Sequence, residues 1–294
     1  MADFKDIIIN ASRNTKAVWC LLTLLALVDI LLGSMEGLSI APARFLQVLA
    51  GTVVMLALSY IYTYIRPEPR IALLTHQGAV TLAFTTIAAV FSYITVIWGQ
   101  PLIDRDLVRL DHWLGFDWIT AYDWLKVNRI LYMTFGIAYF SLIIQMLVLL
   151  VVLNFLRLGR RSWELMWLFI ITSIACITIG AFFPASGAYG YFQIGDDPYV
   201  HAFSALRNGS LKVLGAEEMQ GVVQFPSLHI ALAIVFAYCA RGVKILFPVF
   251  VVLNILLALG TPAFGGHHLT DIIAGALLAV LAIIGLRQLP VKQP

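Results

Sequence analysis

Charge is scarce in this 294-residue sequence, since Asp, Glu, Lys and Arg make up only 12% of it, where a soluble domain carries roughly 25%. The formal net charge of +3 is too small and too dispersed to suggest a nucleic-acid partner. Cysteine is also rare: Cys20, Cys176 and Cys239 lie in or beside apolar runs, where a thiol behaves as a small hydrophobe. Neither a disulfide framework nor a cysteine metal site is therefore predicted.

Hydrophobic residues dominate instead, at 61% with a mean hydropathy of +0.91. Several apolar runs reach the roughly 20 residues that a helix needs to cross a bilayer, and such segments must satisfy their backbone polar groups internally. We therefore predict an all-α polytopic membrane protein. Its eight expected helices lie at about 17–33, 45–65, 73–98, 129–157, 162–184, 226–240, 242–260 and 268–287. The first run lacks a small-residue cleavage site, so we interpret it as a retained helix.

Two long segments separate the expected spans. Segment 104–126 interleaves acidic residues with apolar ones and is typical of an amphipathic helix at the membrane interface; its apolar residues include Leu107, Leu110, Trp113, Leu114, Trp118 and Trp124. The second segment, about 185–225, is a long loop, and long ordered loops tend to be functional.

The distribution of basic residues predicts the topology. Twelve of the 19 Lys and Arg residues fall in short segments on the side of the termini, and seven fall in the longer loops. The positive-inside bias places both termini in the cytoplasm, and we expect a bacterial inner membrane with the active site on its exterior, periplasmic face. Segments 183–187, 225–229 and 265–271 then share that exterior face.

Segment 265–271, Gly-Gly-His-His-Leu-Thr-Asp, is the first candidate for chemistry. His267 and Asp271 stand at i and i+4, so they share a helix face and can form a hydrogen bond. An aspartate bonded to one ring nitrogen leaves the other as a nucleophile or base, and the two glycines permit close approach of a ligand to the backbone. A His–Asp pair that only caps a helix is the alternative.

Segment 225–229, Phe-Pro-Ser-Leu-His, directly precedes an apolar run. Pro226 suits the first turn of a helix, and the free N–H groups of such an end, with Ser227, make a natural anion site. His229 would stand beside that anion as a general acid or base. The alternative is a histidine that only faces lipid headgroups.

Together these residues resemble the type-2 phosphatidic acid phosphatase superfamily, within it the branch of the inositol phosphorylceramide synthases. Pro226-Ser227-Leu228-His229 is similar to the family's Pro-Ser-x-His motif, and His267 to Asp271 to its His-x-x-x-Asp motif. Similarity to that branch extends over roughly residues 100–285, through Leu114-Gly115-Phe116-Asp117-Trp118, Tyr139, Ser141, Gln145 and Leu206-Arg207-Asn208-Gly209.

The resemblance implies a six-helix catalytic core, here within residues 73–294, preceded by two helices in residues 1–72. It also implies a membrane lipid substrate and no metal or other cofactor. His267 would attack phosphorus to form a phosphohistidine, Asp271 would orient it, and His229 would protonate the departing oxygen. The resemblance does not indicate an oligomeric state.

The phosphate clamp of the family is missing from its usual places. Gly260 and Thr261 occupy the positions of a Ser-Arg pair, and Ser59 stands where a lysine should precede Arg66-Pro67. A phosphoryl group still needs positive donors. Arg207 is the first candidate and Lys212 the second; the remaining expected phosphate ligands are Ser227 and His268.

Several functions stay open at this level. Water can accept the phosphoryl group, which gives a phosphohydrolase, or a lipid hydroxyl can accept a phosphorylated headgroup from another lipid, which gives a phosphotransferase. A transporter would spread ionisable residues through the membrane depth, whereas these gather at one edge. A zinc hydrolase would use His229, His267 and Asp271 as ligands. Three polar residues of the fourth span suit either the bundle interior or a substrate cleft: Tyr139, Ser141 and Gln145.

Overall fold

The computed structural model describes residues 2–194, 198–215 and 221–288. Its N-terminal part contains three long helices, and proline begins two of them, as expected where the first N–H groups have no helical partner. The elements are α1 (Ala2–Glu36), β1 (Ser39–Ile40), α2 (Pro42–Tyr60) with a π-helical turn (Ile61–Ile65), and α3 (Pro69–Ile97).

The middle of the chain begins with two short amphipathic helices and continues into the bundle. The elements are α4 (Asp104–Trp113), α5 (Trp118–Val127), α6 (Arg129–Phe140), α7 (Leu142–Phe155) and α8 (Gly159–Phe182). Helices α6 and α7 meet at Ser141 with a bend of 47°, so the expected fourth span is a broken helix. Asp117 begins α5 by accepting a hydrogen bond from Thr120 N at 2.7 Å.

The C-terminal part carries both motifs at helix ends. The long loop holds α9 (Gly187–Phe192), α10 (Pro198–Arg207) and β2 (Val213–Leu214), and after it come α11 (Leu228–Ala240), α12 (Leu246–Gly265) and α13 (Leu269–Gln288). β1 and β2 form a parallel pair of two residues each. This pair ties the loop after α1 to the long loop and was not predicted.

Six of the described helices are long and apolar enough to cross a membrane, and the α6–α7 pair is a seventh span if it counts as one. The shorter apolar helix α11 occupies the place of the expected sixth span. The chain is thus an α-helical integral membrane protein, and the count of eight stays a prediction.

The core lies between α3, α7, α8, α11 and α13, and α11 packs against α7, α8, α12 and α13. Helices α1 and α2 pack against α3. The expected boundary at residue 72 falls in the first turn of α3, which begins at Pro69, and residues 289–294 of the expected core lie outside the described residues.

The amphipathic pattern of segment 104–126 predicts that its apolar residues share one surface that faces the membrane. In the structure, the apolar residues of α4 and α5 do not all lie on one exposed surface. Leu107 and Trp118 are 2% exposed and belong to the protein core. Trp113 and Trp124 are exposed. The two helices therefore pack on the bundle with part of their apolar surface and expose the rest.

Candidate active site

Two of the expected catalytic histidines face each other. The ring centroids of His229, in the first turn of α11, and His267, between α12 and α13, are 6.3 Å apart. The ring of Tyr139 stacks on His229 at 4.5 Å, and its hydroxyl lies 3.4 Å from His229 Nδ1. Tyr139 therefore belongs to the site, which leaves Nε2 of His229 as the nitrogen available to a ligand.

His267 and Asp271 form the pair that their spacing predicts. Nδ1 of His267 lies 3.4 Å from Oδ2 of Asp271, and both side chains are buried. The same carboxylate oxygen accepts a hydrogen bond from His268 N at 2.8 Å, so a main-chain donor holds the aspartate. Nε2 of His267 is the ring nitrogen that Asp271 leaves available.

The glycines before His267 serve the protein's own side chains. A Cβ on Gly265 would lie 2.7 Å from both His267 Cδ2 and the Tyr139 hydroxyl. Gly266 adopts φ +62°, and a Cβ there would lie 2.5 Å from Cδ2 of the Tyr189 ring. Close approach of a ligand to these glycines stays a prediction. They let the chain turn out of α12 and leave room at Gly265 for the His267 ring and the Tyr139 hydroxyl.

The segment before α11 packs tightly on α13. Ser227 N donates to the Asp271 carbonyl at 3.1 Å, and a Cβ on Gly275 would strike the Ser227 backbone. The Ser227 hydroxyl is fully buried and has no hydrogen-bond partner among the described residues. The N-terminus of α11 thus carries an unused hydroxyl beside its free N–H groups.

The third segment expected on the same face, 183–187, leads into α9 and contacts segment 265–271. Ala188 N, at the start of α9, donates to the Gly266 carbonyl at 2.7 Å. Gly187 adopts φ +72° and has no room for a Cβ beside the same carbonyl. The structure thus brings together the three segments that the topology argument had assigned to one face.

The side chain of His268 turns to protein carboxylates. Its Nδ1 lies 3.3 Å from Asp111 Oδ2 and its Nε2 lies 3.9 Å from Asp104 Oδ1, with all three side chains buried. Burial lowers the pKa of His268, but the contacts with the two aspartates outweigh it and raise the pKa to about 9. His268 is therefore an imidazolium at neutral pH, held by α4.

The expected cationic phosphate ligands contact the main chain. Arg207 Nη2 donates to the carbonyls of Gly99 and Gln100 at 3.3 and 3.0 Å, and Lys212 Nζ donates to the Glu36 carbonyl at 2.9 Å. These contacts fasten α10 and β2 to the ends of α3 and α1. The structure does not bring either side chain to the histidine pair.

Two acidic residues of the site were missed from sequence. Asp104 and Asp111 stood among the acids of an interfacial segment, where a solvated position is the ordinary expectation. Their separation of seven residues, with Leu107 between them, places all three on one helix face. Such a face is the one signal that the sequence offers.

The described parts of the chain contain no group of three or more His, Cys, Asp or Glu side chains able to hold a metal ion. His229, His267 and Asp271 are thus not arranged as a ligand set there, and the zinc alternative has no geometric support.

Comparison with known proteins gives one match. Searches of curated proteins and of solved structures return nothing that matches the chain. A family model described as the PAP2 superfamily matches residues 105–285, which include α4 without its first residue, α5 to α12 and most of α13. Because this match covers more than half of the 294 residues and contains both histidine motifs, the chain belongs to the PAP2 superfamily.

Proposed function

We propose that the protein is a membrane phosphoesterase that acts on a lipid phosphate through a phosphohistidine intermediate. The observation that carries the proposal is the pairing of His267 with Asp271 at 3.4 Å, opposite His229 at 6.3 Å between ring centroids. Superfamily membership supports phosphoester chemistry in general. Two imidazoles at this distance can act on one phosphoryl group from opposite sides.

The first step transfers the phosphoryl group to the protein. The lone pair on His267 Nε2 forms a bond to phosphorus while the bond between phosphorus and the leaving oxygen breaks. The electron pair of that bond stays on the leaving oxygen, which takes a proton from His229 Nε2. Asp271 stabilises the positive charge that develops on the His267 ring.

The second step reverses these roles. His229, now neutral, takes a proton from water or from a lipid hydroxyl, whose oxygen attacks phosphorus. The P–N bond breaks, its electron pair returns to His267, and the product leaves as inorganic phosphate or as a new phospholipid.

Among the phosphate ligands expected from sequence, Ser227 has the best support, since its buried hydroxyl is unused and adjoins the N-terminus of α11. Lys212 and His268 would each have to give up contacts to protein oxygens before they reached a phosphate. Arg207 keeps one buried donor, Nη1, without a hydrogen-bond partner among the described residues, while its Nη2 is held by the Gln100 carbonyl. We therefore propose that N–H groups and imidazoles provide most of the stabilisation of phosphate charge.

A lipid substrate is supported by an apolar groove beside the site. It has a volume of about 360 Å³ and lies between α11, α12 and α13, with Ile230 and Ile272, the neighbours of His229 and Asp271, on its wall. Ala233, one turn after His229, also lines it. We propose that one acyl chain of the substrate occupies this groove while the phosphate lies between the histidines.

Filling the groove is expected to select against long chains. In Ala258→Phe, a ring on α12 occupies the space, so kcat/KM for a long-chain lipid phosphate should fall about threefold or more. The effect is modest because a chain leaving bulk lipid for the groove gains packing but no hydrophobic transfer energy. Phosphate release from matched long-chain and short-chain substrates measures it.

The control is Leu259→Phe, which adds bulk to an exposed position of the same helix. It should leave both substrates unaffected. Equal losses on long and short chains in Ala258→Phe would contradict occupation of the groove by an acyl chain.

A phosphotransferase is the second candidate. Arg207 and Lys212 contact main-chain carbonyls, and a site that relies on N–H groups and imidazoles suits a singly charged phosphodiester better than a dianionic monoester. Mass spectrometry of a labelled lipid phosphate, with and without an added lipid alcohol, tests the choice. Free phosphate without a new phospholipid excludes transfer as the main activity, and a labelled new phospholipid supports it.

We also propose the division of the chain into residues 1–72 and a catalytic core within 73–294, and an exterior location of the site with both termini inside. The family match supports the core, since it lies wholly within 73–294. Labelling of single cysteines introduced at exposed Trp113 and at Lys244, by a reagent that does not cross membranes, tests the orientation. Reaction at residue 113 alone is expected.

A further inference from the structure

Helix α4 presents two different surfaces. Asp104, Leu107 and Asp111 are buried against the bundle, while Leu110 and Trp113 on the other side are exposed, Trp113 to 82%. Buried carboxylates are costly unless they are paired. The buried carboxylates of α4 therefore need partners within the protein, and those of Asp111 lie in residues 268–270.

Asp111 provides the N-terminal cap of α13. Its Oδ2 accepts a hydrogen bond from Leu269 N at 3.0 Å, and its Oδ1 accepts one from Thr270 N at 2.9 Å and one from the Thr270 hydroxyl at 2.6 Å. The first N–H groups of a helix have no partner within it, and a residue just before the helix normally supplies one. The residue just before α13 is His268, whose side chain points to α4 and does not cap the helix. The cap is instead Asp111, which lies 158 residues before Leu269 in the chain.

The capped turn contains the partner of the expected nucleophile. Asp271 is the third residue of α13 and accepts the His268 N–H at 2.8 Å, which is the acidic half of a capping box. Asp111, from a distant helix, accepts hydrogen bonds from the N–H groups of Leu269 and Thr270, the first two residues of the same turn. The orientation of Asp271 toward His267 Nδ1 thus depends on a first turn that α4 holds in place.

His268 and Asp104 extend this link. His268 lies between the carboxylates of Asp111 and Asp104, and Asp104 Oδ2 also accepts the Ser186 N–H at 2.9 Å, just before α9. The contact with His268, together with the hydrogen bonds to Thr270, holds the pKa of Asp111 below its usual range despite burial.

We propose that Asp111 is a positioning residue for the phosphoryl-transfer reaction, which caps α13 from helix α4 and so fixes the Asp271–His267 pair. His268 and Asp104 hold Asp111 in the required position. This inference rests on the proposed role of His267 as the nucleophile. It assigns to the segment between α3 and α6 a direct part in the geometry of the site.

The test compares Asp111→Ala and Asp111→Asn in the full chain. Asparagine keeps one acceptor oxygen for the α13 N–H groups, and alanine keeps none. The kcat should therefore fall about tenfold in Asp111→Asn and about 100-fold in Asp111→Ala, because small displacements of a catalytic group cost on this order. KM should stay within about threefold of the wild-type value in both variants, since Asp111 does not contact substrate.

The matched control is Asp106→Ala, which removes an exposed carboxylate from the same helix, where it pairs with Arg109. It should leave kcat unchanged. Rates are expressed per mole of protein that elutes as a folded peak in detergent, and if Asp111→Ala does not fold, the kcat of Asp111→Asn decides. A wild-type kcat in the folded Asp111 variants, or a raised KM with unchanged kcat, overturns the proposal.

His267→Ala is assayed in parallel. If it is inactive while the Asp111 variants are fully active, the positioning role fails and the proposed function stands. If it is active, the proposed function itself fails. A combined His268→Gln and Asp111→Asn variant should lose no more activity than the larger single loss, because the two residues act as one unit; additive losses would contradict the link through His268.

Discussion

Replacing His267 by alanine is expected to lower turnover of a lipid phosphate by on the order of 10⁴-fold or more, the scale seen when a covalent nucleophile is lost. His267 is 3% exposed and its ring packs in the space left by Gly265, so the variant removes a ring that no neighbouring residue replaces. The measurement has two parts, namely steady-state release of product and trapping of radiolabelled phosphate on the denatured protein. The wild-type protein should yield an acid-labile, alkali-stable phosphohistidine, and His267→Ala should yield none.

A matched control is His201→Ala, which removes an exposed histidine of α10. It should keep both turnover and the trapped phosphate. Undiminished turnover in His267→Ala would refute the proposed mechanism, and so would label trapped equally on both proteins.

The candidate site illustrates what local sequence can and cannot predict. His267 and Asp271 are four residues apart at the start of a helix, so their contact follows from helical geometry alone. The contact between His229 and His267 joins residues 38 positions apart and depends on how α11 packs against α12 and α13. The distribution of basic residues predicted that the two segments lie on the same membrane face, but it could not predict the distance between the two histidine rings.

The residues missed are those whose role is set by a distant partner. Asp111 caps a helix that begins 158 residues later, and neither position carries a local signature of that cap. Tyr139 was one of three polar residues with two open interpretations, and only the bend after α6 and the packing of α6 on α12 place its ring over His229. The amphipathic pattern of segment 104–126 was also an incomplete guide, because Leu107 and Trp118 are buried although the sequence does not distinguish them from their exposed apolar neighbours.

The fold was more predictable than the site, for a physical reason. A membrane helix must satisfy its own backbone hydrogen bonds, so long apolar runs predict helices without knowledge of tertiary structure. The breaks were harder to predict: the expected span 129–157 is divided at Ser141. Helix α11 has only 13 residues, and its N-terminus lies close to the His267 segment and carries His229.

Replacing His229 by alanine should separate the two chemical steps. With an alkyl lipid phosphate, turnover should fall about 10²- to 10⁴-fold, the usual contribution of a general acid or base. With a nitrophenyl phosphodiester or monoester, the leaving oxygen needs no proton, so the first step should proceed without His229. The second step still needs His229 to activate water. Rapid mixing should therefore show a burst of about one nitrophenol per protein, followed by a slow phase, while phosphohistidine accumulates on His267.

Tyr139→Phe is a useful companion, because it keeps the ring stacked on His229 and removes only the hydroxyl near Nδ1. It should show no slow second phase and retain most of the steady-state rate, since Tyr139 orients His229 and does not transfer the proton. If the folded His229→Ala variant gives no burst with the nitrophenyl substrate, His229 has a role in the first step other than proton donation, such as holding the phosphoryl group. If His229→Ala shows an unchanged steady rate with the alkyl substrate, His229 is neither the acid nor the base, and the assignment of roles across the 6.3 Å between the two rings is wrong.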